Sequence, residues 1–336
     1  MRILVTGGAG YIGSHTAIRL LETGYDVTIL DDLSSGHKEA VDRIEQLTGK
    51  KIELYVGDIS DRVLLRKLFA ASKIDAVIHF AGKKSVEDSV TQAAYYFAEN
   101  VGGTAVLCNA MQEAGVSRIV YSSTCQVYGD KVVPALHEEM SADPVNPYGD
   151  TKYCSEKLLQ WLAIGSGWSS VALRYFNPIG AHESGMIGED QKNAKNIIPI
   201  LLEIADGKRA KLQVFGTDYP TPDGTCLRDY IHIMDLADAH ISAMEWATKN
   251  RGWLMCNVGN GIGGSVFDIR TAFEQACGKP IPFETTARRA GDPAILVADP
   301  TKAQSVLGWS GKLSLFEACH SAWQWHLKNP DGYVKR

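Results

Sequence analysis

Residues 2–13 of the chain read RILVTGGAGYIG, an apolar β-branched run followed at once by a cluster of glycines. The run predicts a buried strand, and the apolar spacing from Ser14 to Thr23 predicts a helix directly after the glycines. Glycine allows a tight turn and a close approach of the backbone to a diphosphate, which the free N–H groups of a helix N-terminus attract. The stretch therefore predicts the phosphate-binding turn of a dinucleotide site.

Further apolar runs predict the rest of a sheet, at residues 26–30, 52–56, 75–80, 118–121 and 170–173. Stretches with helical spacing separate the early runs, and this alternation predicts the α/β class, with a doubly wound parallel sheet of the Rossmann type. After residue 176, glycine, proline and asparagine become frequent and the alternation stops. We expect a dinucleotide-binding domain over 1–176 and a smaller mixed α/β substrate domain over 177–336, some segments of which return to the first domain.

The composition excludes several classes of function. The 336 residues carry 34 Lys and Arg against 39 Asp and Glu, a net charge of −5, so nucleic acid is not an expected partner. No apolar stretch approaches the roughly 18 residues of a membrane span, and the first strand begins too early for a leader to precede it. The seven cysteines form no Cys-x-x-Cys pair, which argues against disulfides and a metal site. We expect a cytoplasmic protein that binds neither a membrane nor a metal.

Acidic residues indicate which dinucleotide the turn would bind. Asp31 ends the second predicted strand, where a carboxylate accepts hydrogen bonds from ribose hydroxyls, and Asp32 follows it directly. Two carboxylates would repel the 2′-phosphate of NADP, so the sequence favours NAD as cofactor. His37 and Lys38 lie a few residues further on and leave NADP as the alternative.

Two Tyr-x-x-x-Lys pairs are candidates for acid–base chemistry. Tyr148 and Lys152 are four residues apart, as are Tyr153 and Lys157, and this spacing places each pair on one side of a helix. Five helical residues correspond to about 500° of rotation, so the second pair points about 140° away from the first. Only one pair can face a given site, and we expect Tyr153 to belong to a packing face and Lys157 to solvent.

The surroundings select the first pair. The segment 147–152 reads PYGDTK, and Thr124 lies 24 residues before Tyr148. Together with the glycine turn, these features resemble the extended short-chain dehydrogenase/reductase family. The resemblance implies that Tyr148 is the catalytic acid or base, that Lys152 contacts the nicotinamide ribose, and that Thr124 contacts the reacting hydroxyl. Lowering a tyrosine pKa from about 10 to about 7 requires roughly 4 kcal/mol of phenolate stabilisation, which a neighbouring ammonium and a cationic nicotinamide favour.

Longer stretches resemble those members of the family that act on UDP-hexoses, namely residues 1–13, 77–82, 174–182, 218–225 and 228–232. The resemblance implies interconversion of UDP-glucose and UDP-galactose by inversion at C4, through a 4-keto sugar and enzyme-bound NADH. It also implies a homodimer that packs the helix bearing Tyr148 and a preceding helix against their copies.

The predicted site residues fall into three groups. The catalytic residues are Tyr148, Lys152 and Thr124. The cofactor is expected to contact Gly7, Gly10, Tyr11, Ile12, Gly13, Asp31, Asp32, Ser35, Asp58, Ile59, Phe80, Ala81, Gly82, Lys84, Asn100, Ser122, Tyr148, Lys152 and Phe176. The substrate is expected to contact Thr124, Tyr148, Asn177, Asn196, Phe215, Arg228, Arg289, Asp292 and Leu296. Glu99 stands where relatives often carry a second asparagine, next to Asn100.

Three other functions compete with this interpretation. A nucleotide-sugar 4,6-dehydratase shares the fold and the Tyr/Lys pair, but such enzymes typically place Asp-Glu after the threonine, where this chain has Cys125 and Gln126. A non-catalytic NAD sensor usually loses the tyrosine or the lysine, and this chain keeps both. The third function is 4-epimerisation of UDP-N-acetylhexosamines by the same mechanism. The resemblance implies that Leu296 occupies a position that limits the size of the sugar's 2-substituent. The alternative is that Leu296 simply fills the core.

Overall fold

The computed structural model describes residues 1–190, 196–289 and 293–333. The strands in chain order are β1 Arg2–Thr6, β2 Asp26–Asp31, β3 Glu53–Val56, β4 Ala76–His79, β5 Arg118–Thr124, β6 Ser169–Tyr175, β7 Asn177–Ile179, β8 Leu212–Phe215, β9 Leu227–His232, β10 Gly252–Val258, β11 Gly263–Ser265, β12 Phe283–Thr286 and β13 Ile295–Leu296.

The α-helices are α1 Tyr11–Glu22, α2 Lys38–Thr48, α3 Arg62–Ala71, α4 Val86–Thr91, α5 Ala93–Tyr96, α6 Gly103–Glu113, α7 Pro147–Ser166, α8 Ile197–Ala205, α9 Ile233–Lys249, α10 Val266–Cys277 and α11 Leu315–Lys328. Tighter or wider helical turns occupy Phe97–Gly102, Cys125–Tyr128 and Ala303–Leu307. No helix in the described ranges is long and apolar enough to cross a membrane.

A seven-stranded parallel sheet forms the larger layer, in the order β3-β2-β1-β4-β5-β6-β10. The strand order reverses between β1 and β4: β2 and β3 are added on one side of β1, and the chain then crosses over to place β4 on the other side. The predicted doubly wound α/β fold is confirmed. Ligands of such sheets bind beyond the carboxyl ends of the strands at this reversal, where the flanking loops diverge.

Side chains of β1 alternate between the two faces of the sheet, as the pleat requires. Ile3 and Val5 pack into one apolar core with residues of α1 and α9, whereas Leu4 packs into a second core with residues of α3, α6 and α7. Both faces are therefore covered, which explains why the sequence of β1 is apolar without interruption.

The second half of the chain builds a smaller layer around β9. Strands β7 and β13 pair with β9 in parallel and β11 pairs with it antiparallel, while β8 and β12 form a separate parallel pair. Helices α8, α10 and α11 cover these strands around a core that includes Leu201, Phe273 and Trp323. Strand β10 joins the large sheet beside β6, so the segment 233–258 contributes to the first layer. A domain boundary at residue 176 stays a prediction.

Helix α7 is seated on the sheet by a buried ion pair. Arg174 of β6 donates two hydrogen bonds to the Glu156 carboxylate, at 2.9 and 2.5 Å, and the two side chains are only 3% and 2% exposed. Ser123 of β5 donates a third bond to Glu156 at 2.5 Å. The guanidinium lies 4.7 Å from the ring centroid of Tyr128. Because a charge is costly to bury alone, these contacts fix α7 against β5 and β6.

Replacing Glu156 by alanine should lower the free energy of unfolding by about 3–5 kcal/mol, because Arg174 would stay buried without its counter-charge. Glu113→Ala is the matched control: Glu113 also accepts two hydrogen bonds from an arginine, Arg66, but both side chains are more than half exposed. The control should lose about 0–1 kcal/mol. Urea unfolding followed by circular dichroism measures both, and equal losses would contradict the seating role of Glu156.

Candidate active site

A cavity of about 660 Å³ opens at the carboxyl edge of the large sheet, where the segments that follow the paired strands β1 and β4 diverge. Its floor consists of the glycine turn after β1 and the segment Phe80–Gly82 after β4, and residues of the second layer such as Asn177 and Tyr230 form the opposite wall. The cavity is large enough for a drug-sized ligand and lies at the position where doubly wound sheets bind nucleotides.

The glycine turn packs too closely against the protein backbone to admit side chains at two of its positions. Gly7 has φ +69°, and a Cβ there would lie 2.8 Å from the backbone nitrogen of Ala81; a Cβ on Gly13 would lie 2.1 Å from the carbonyl oxygen of Gly7. Helix α1 begins at Tyr11 with Gly10 as N-cap, without a capping side chain or an acidic residue in its first turn. The first-turn N–H groups therefore face the cavity as an anion site, and a dinucleotide diphosphate fits it.

The carboxylate of Asp31 marks the other end of a dinucleotide site. It is buried at the end of β2 and accepts hydrogen bonds from the backbone N–H groups of Ala9, at 2.9 Å, and Leu33, at 2.8 Å. Burial raises the pKa of Asp31, and the two backbone hydrogen bonds oppose that rise. Asp32 also lines the cavity, so this end offers two carboxylates to ribose hydroxyls.

Helix α7 brings the predicted catalytic pair to the cavity. Pro147 occupies its first turn, and the Asn146 side chain caps it by accepting a hydrogen bond from the Gly149 N–H at 2.9 Å. Tyr148 and Lys152 are both buried and both line the cavity. The ammonium of Lys152 donates to the carbonyl oxygen of Ser122 at 2.8 Å, which ties the helix to the end of β5.

Thr124 completes this cluster from the sheet side. It ends β5, lines the cavity, and its hydroxyl accepts a hydrogen bond from the Gln126 N–H at 3.2 Å. Burial raises the pKa of Tyr148 well above its usual value, and a hydrogen bond with Thr124 opposes that rise. Burial lowers the pKa of Lys152 to about 8.

The expected lowering of the Tyr148 pKa by Lys152 is not found in the protein alone. Lys152 Nζ lies 5.9 Å from the centroid of the Tyr148 ring, and it is engaged with a backbone carbonyl. Desolvation of the buried phenol is the largest cause of its raised pKa.

The second Tyr/Lys pair has different surroundings. Tyr153 packs against the apolar cluster of Cys125, Val127 and Leu136, and Lys157 is exposed, where its ammonium donates to the Gln160 side chain at 2.9 Å. The pair therefore matches the expected packing face and solvent face of α7.

Most of the predicted site residues meet at one cavity. Those that line it are Gly7, Gly10, Tyr11, Ile12, Gly13, Asp31, Asp32, Ser35, Asp58, Ile59, Phe80, Ala81, Gly82, Lys84, Ser122, Thr124, Tyr148, Lys152, Phe176, Asn177 and Asn196. Five others in the described ranges lie outside its wall, namely Asn100, Phe215, Arg228, Arg289 and Leu296. Asp292 lies outside the described residues.

Asn100 is placed behind the cavity wall. Its side-chain oxygen accepts from the Lys83 N–H at 2.7 Å, and its amide nitrogen donates to the Lys83 carbonyl at 3.0 Å and to the Thr151 hydroxyl at 2.9 Å. These bonds fix the backbone just before Lys84, which does line the cavity. The neighbouring Glu99 also lines it, with its carboxylate 4.0 Å from Lys83 Nζ.

The remaining four residues belong to the second layer and lie outside the cavity wall. Arg228 lies two residues before Tyr230 on β9, so the two side chains share a face, and its guanidinium donates to the Leu227 and Pro293 carbonyls at 2.9 Å each. Arg289 stands 5.7 Å from the ring centroid of Phe215. Leu296 is buried in the cluster that contains Cys125 and Phe176.

The sequence argument did not single out several cavity residues. Tyr175 donates or accepts a 2.7 Å hydrogen bond with the Ser122 hydroxyl, and its position directly before Phe176 could have indicated it. Tyr230 could have been predicted from Arg228, because residues two apart on a strand share a face of the sheet. Glu189, which accepts a 3.2 Å hydrogen bond from the Asn196 amide, lies in a loop without a periodic pattern and gave no such signal.

Comparison with known proteins identifies the family. The sequence profile of the GDP-mannose 4,6 dehydratase family matches residues 4–322. The UDP-glucose 4-epimerase of Bacillus subtilis is 46% identical over 335 residues, which cover 99% of both chains. The chain belongs to the UDP-glucose 4-epimerase family. The resemblance to extended short-chain dehydrogenases/reductases is thereby confirmed.

Solved structures of the UDP-glucose 4-epimerase family agree closely with the fold. The Stenotrophomonas maltophila enzyme, crystallised with NAD and formylated UDP-arabinopyranose, is 41% identical with a TM-score of 0.96, covering 98% of this chain and 99% of that one. The Bifidobacterium longum enzyme, in complex with NAD+ and UDP, is 41% identical with a TM-score of 0.94, covering 99% and 100%. The UDP-Glc/GlcNAc 4-epimerase of Campylobacter jejuni is 34% identical with a TM-score of 0.85, covering 97% and 99%.

Tyr148→Phe should lower turnover by about 10²–10⁴-fold, because the phenol lines the cavity and is the predicted acid–base group. Tyr153→Phe is the matched control, five residues further along the same helix, and should change turnover little. Steady-state rates of both variants, with thermal melting to compare their folding, measure the effect. A larger loss in Tyr153→Phe at unchanged stability would show that the wrong pair was chosen.

Proposed function

We propose that the protein interconverts UDP-glucose and UDP-galactose by inverting the configuration at C4 of the sugar, with NAD as a bound cofactor. One observation carries this proposal: Tyr148 and Thr124 line the same cavity as the glycine turn and Asp31, at the end of β5, three strands along the sheet from Asp31. A hexose hydroxyl placed between Tyr148 and Thr124 would meet both a proton acceptor and a hydrogen-bond partner.

Tyr148 and Thr124 act on the 4-hydroxyl group of the sugar. Tyr148 removes this proton in the oxidation step and returns it in the reduction step, while Thr124 holds the oxygen in place. Lys152 contributes a buried positive charge whose field favours the phenolate. Bound NAD would supply the remaining chemistry by accepting a hydride from C4 and returning it to the opposite face of the keto sugar. Inversion therefore requires no external reductant.

Two differently built regions suit this reaction. Arg228 and Arg289 provide planar, multiply donating groups for a diphosphate, and Phe215 provides an aromatic face beside Arg289. The hexose end is instead bounded by Tyr148, Thr124 and Phe176. Firm binding of the nucleotide and loose contact with the sugar would allow the keto sugar to turn over within the site.

The exposed surface of α7 supports a homodimer. Trp161 and Ile164 are 66% and 65% exposed, three residues apart on one side of the helix. Tyr95 and Phe97, in the helical segment that precedes α6, are 45% and 39% exposed. Large apolar side chains in such a group are typical of protein interfaces, so we propose that two copies of the chain pack through these helices. We also propose that the protein acts in the cytoplasm.

The competing functions fit the site less well. Elimination of water by a 4,6-dehydratase needs an acid and a base after the threonine, but burial raises the pKa of Cys125 to about 12. The Gln126 amide oxygen accepts a hydrogen bond from Asn146 at 3.1 Å and carries no titratable proton. A non-catalytic NAD sensor would not need Tyr148, Lys152 and Thr124 together.

The purified protein should already contain NAD, and it should convert UDP-galactose to UDP-glucose without added reductant. Chromatography of the nucleotide sugars, together with release of the cofactor by heat, measures both properties. Protein that stays inactive after NAD is added would overturn the proposal. A 4-keto-6-deoxy sugar as the stable product would favour the dehydratase.

Leu296 provides a test of substrate range. We propose that its side chain leaves room for a 2-N-acetyl group, so the protein should show weaker but measurable activity on UDP-N-acetylglucosamine. Leu296→Tyr should suppress that activity about 10–200-fold and spare UDP-galactose, because added bulk acts on the larger substituent only. Leu296→Met keeps the volume and should alter neither. Equal loss on both substrates would show that Leu296 only fills the cluster around Cys125.

A further inference from the structure

The end of the cavity near Asp31 is closed by residues that are far apart in the sequence. His37 follows β2, Gly188 and Asp190 belong to a loop of the second layer, and Tyr333 lies near the C-terminus. All four line the cavity. We call His37, Gly188, Asp190 and Tyr333 the clasp.

Direct contacts hold the clasp together. His37 Nε2 lies 2.7 Å from a carboxylate oxygen of Asp190, and the His37 ring stacks on Tyr333 with centroids 4.9 Å apart and planes 25° from parallel. The Tyr333 hydroxyl donates to the Gly188 carbonyl at 3.0 Å and accepts from the Gly188 N–H at 3.1 Å. The Tyr333 side chain thus contacts both the segment after β2 and the second-layer loop, which the His37–Asp190 contact also joins.

Tyr333 is also held from outside the cavity. The Trp325 ring lies 4.8 Å from the Tyr333 ring, and the Arg43 guanidinium lies 5.2 Å from Tyr333 and 5.6 Å from Trp325. Arg43 donates to the Asn329 side chain at 2.7 Å and to the Met186 carbonyl at 3.0 Å. These contacts connect α2, the second-layer loop and the end of α11 on one side of the cavity.

The C-terminal backbone approaches Asp190 closely. Gly332 has φ +72°, and a Cβ at this position would lie 2.5 Å from a carboxylate oxygen of Asp190. A side chain there would therefore be strained and would displace Asp190 from His37. The turn at Gly332 thus places Tyr333 on the cavity and leaves the ion pair intact.

The clasp lies next to both anchors of a dinucleotide. The His37 backbone N–H donates to the carbonyl oxygen of Ala9 in the glycine turn at 3.0 Å, and a Cβ on the preceding Gly36 would lie 2.7 Å from a carboxylate oxygen of Asp31, the predicted ribose ligand. A dinucleotide seated between the glycine turn and Asp31 would have its adenosine half beneath the clasp. It could leave in that direction only after Tyr333 separates from His37 and Gly188.

We propose that the clasp retains the cofactor and that its opening sets the rate at which NAD leaves. This inference rests on the proposed function, in which the cofactor is oxidised again within the site in every cycle and its release is not a step of turnover. His37, Asp190 and Tyr333 are positioning residues in this role, distant from the chemistry at Tyr148.

The test uses full-length protein loaded with radiolabelled NAD and diluted into excess unlabelled NAD, with the retained label followed over time. Tyr333→Ala removes the ring stack and both hydrogen bonds and should accelerate release about tenfold or more, whereas Tyr333→Phe keeps the stack and should have a smaller effect. Tyr55→Phe is the control, since its hydroxyl also makes side-chain hydrogen bonds, at 2.8 Å to Glu53 and 3.3 Å to Ser72, away from the cavity.

Release from Tyr333→Ala within about twofold of the unaltered protein would overturn the clasp. Equal acceleration by Tyr55→Phe would overturn it as well, because general loosening would then explain the result. Melting temperatures in saturating NAD establish that each variant is folded. Failure of the proposed function has a different signature, namely an unaltered protein that binds no NAD or does not interconvert the two sugars.

Discussion

The position of helix α7 on the large sheet determines where the predicted catalytic pair, Tyr148 and Lys152, lies. Tyr148, Lys152 and Glu156 follow each other at intervals of four residues, so they share one face of α7. Glu156 is locked to Arg174 and Ser123 in the interior, and Lys152 bonds to the carbonyl of the adjacent Ser122. The buried ion pair at one end therefore sets the register in which the catalytic pair meets the end of β5.

The rest of the cavity is arranged around this fixed point. The glycine turn and Asp31 lie along the sheet edge on one side of it, and the second layer adds a wall through β7 and β9. Burial disfavours the charged forms of both catalytic candidates, since it raises the pKa of Tyr148 and lowers that of Lys152.

Local sequence patterns predicted the features that depend on neighbouring residues. The strands of the first half, the turn at Gly7–Gly13 and the orientation of Tyr148 relative to Tyr153 follow from spacing, and the structure agrees with them. Contacts between distant segments could not be predicted in this way. The return of β10 to the large sheet, the enclosure of Leu296 beside Cys125 and the stacking of Tyr333 on His37 all join residues more than eighty positions apart. Desolvation raises the Tyr148 pKa, an effect that could not be judged from sequence, and the expected fall beside Lys152 and a bound nicotinamide stays a prediction.

The central claim is that one site oxidises and then reduces the same carbon, with the hydrogen carried as hydride and kept out of contact with water. UDP-galactose labelled with deuterium at C4 tests this most directly. After conversion in ordinary water, mass spectrometry and NMR of the UDP-glucose formed should show the deuterium retained at C4. Replacement of the label by hydrogen from the solvent would mean that C4 loses a proton instead, and would contradict the account.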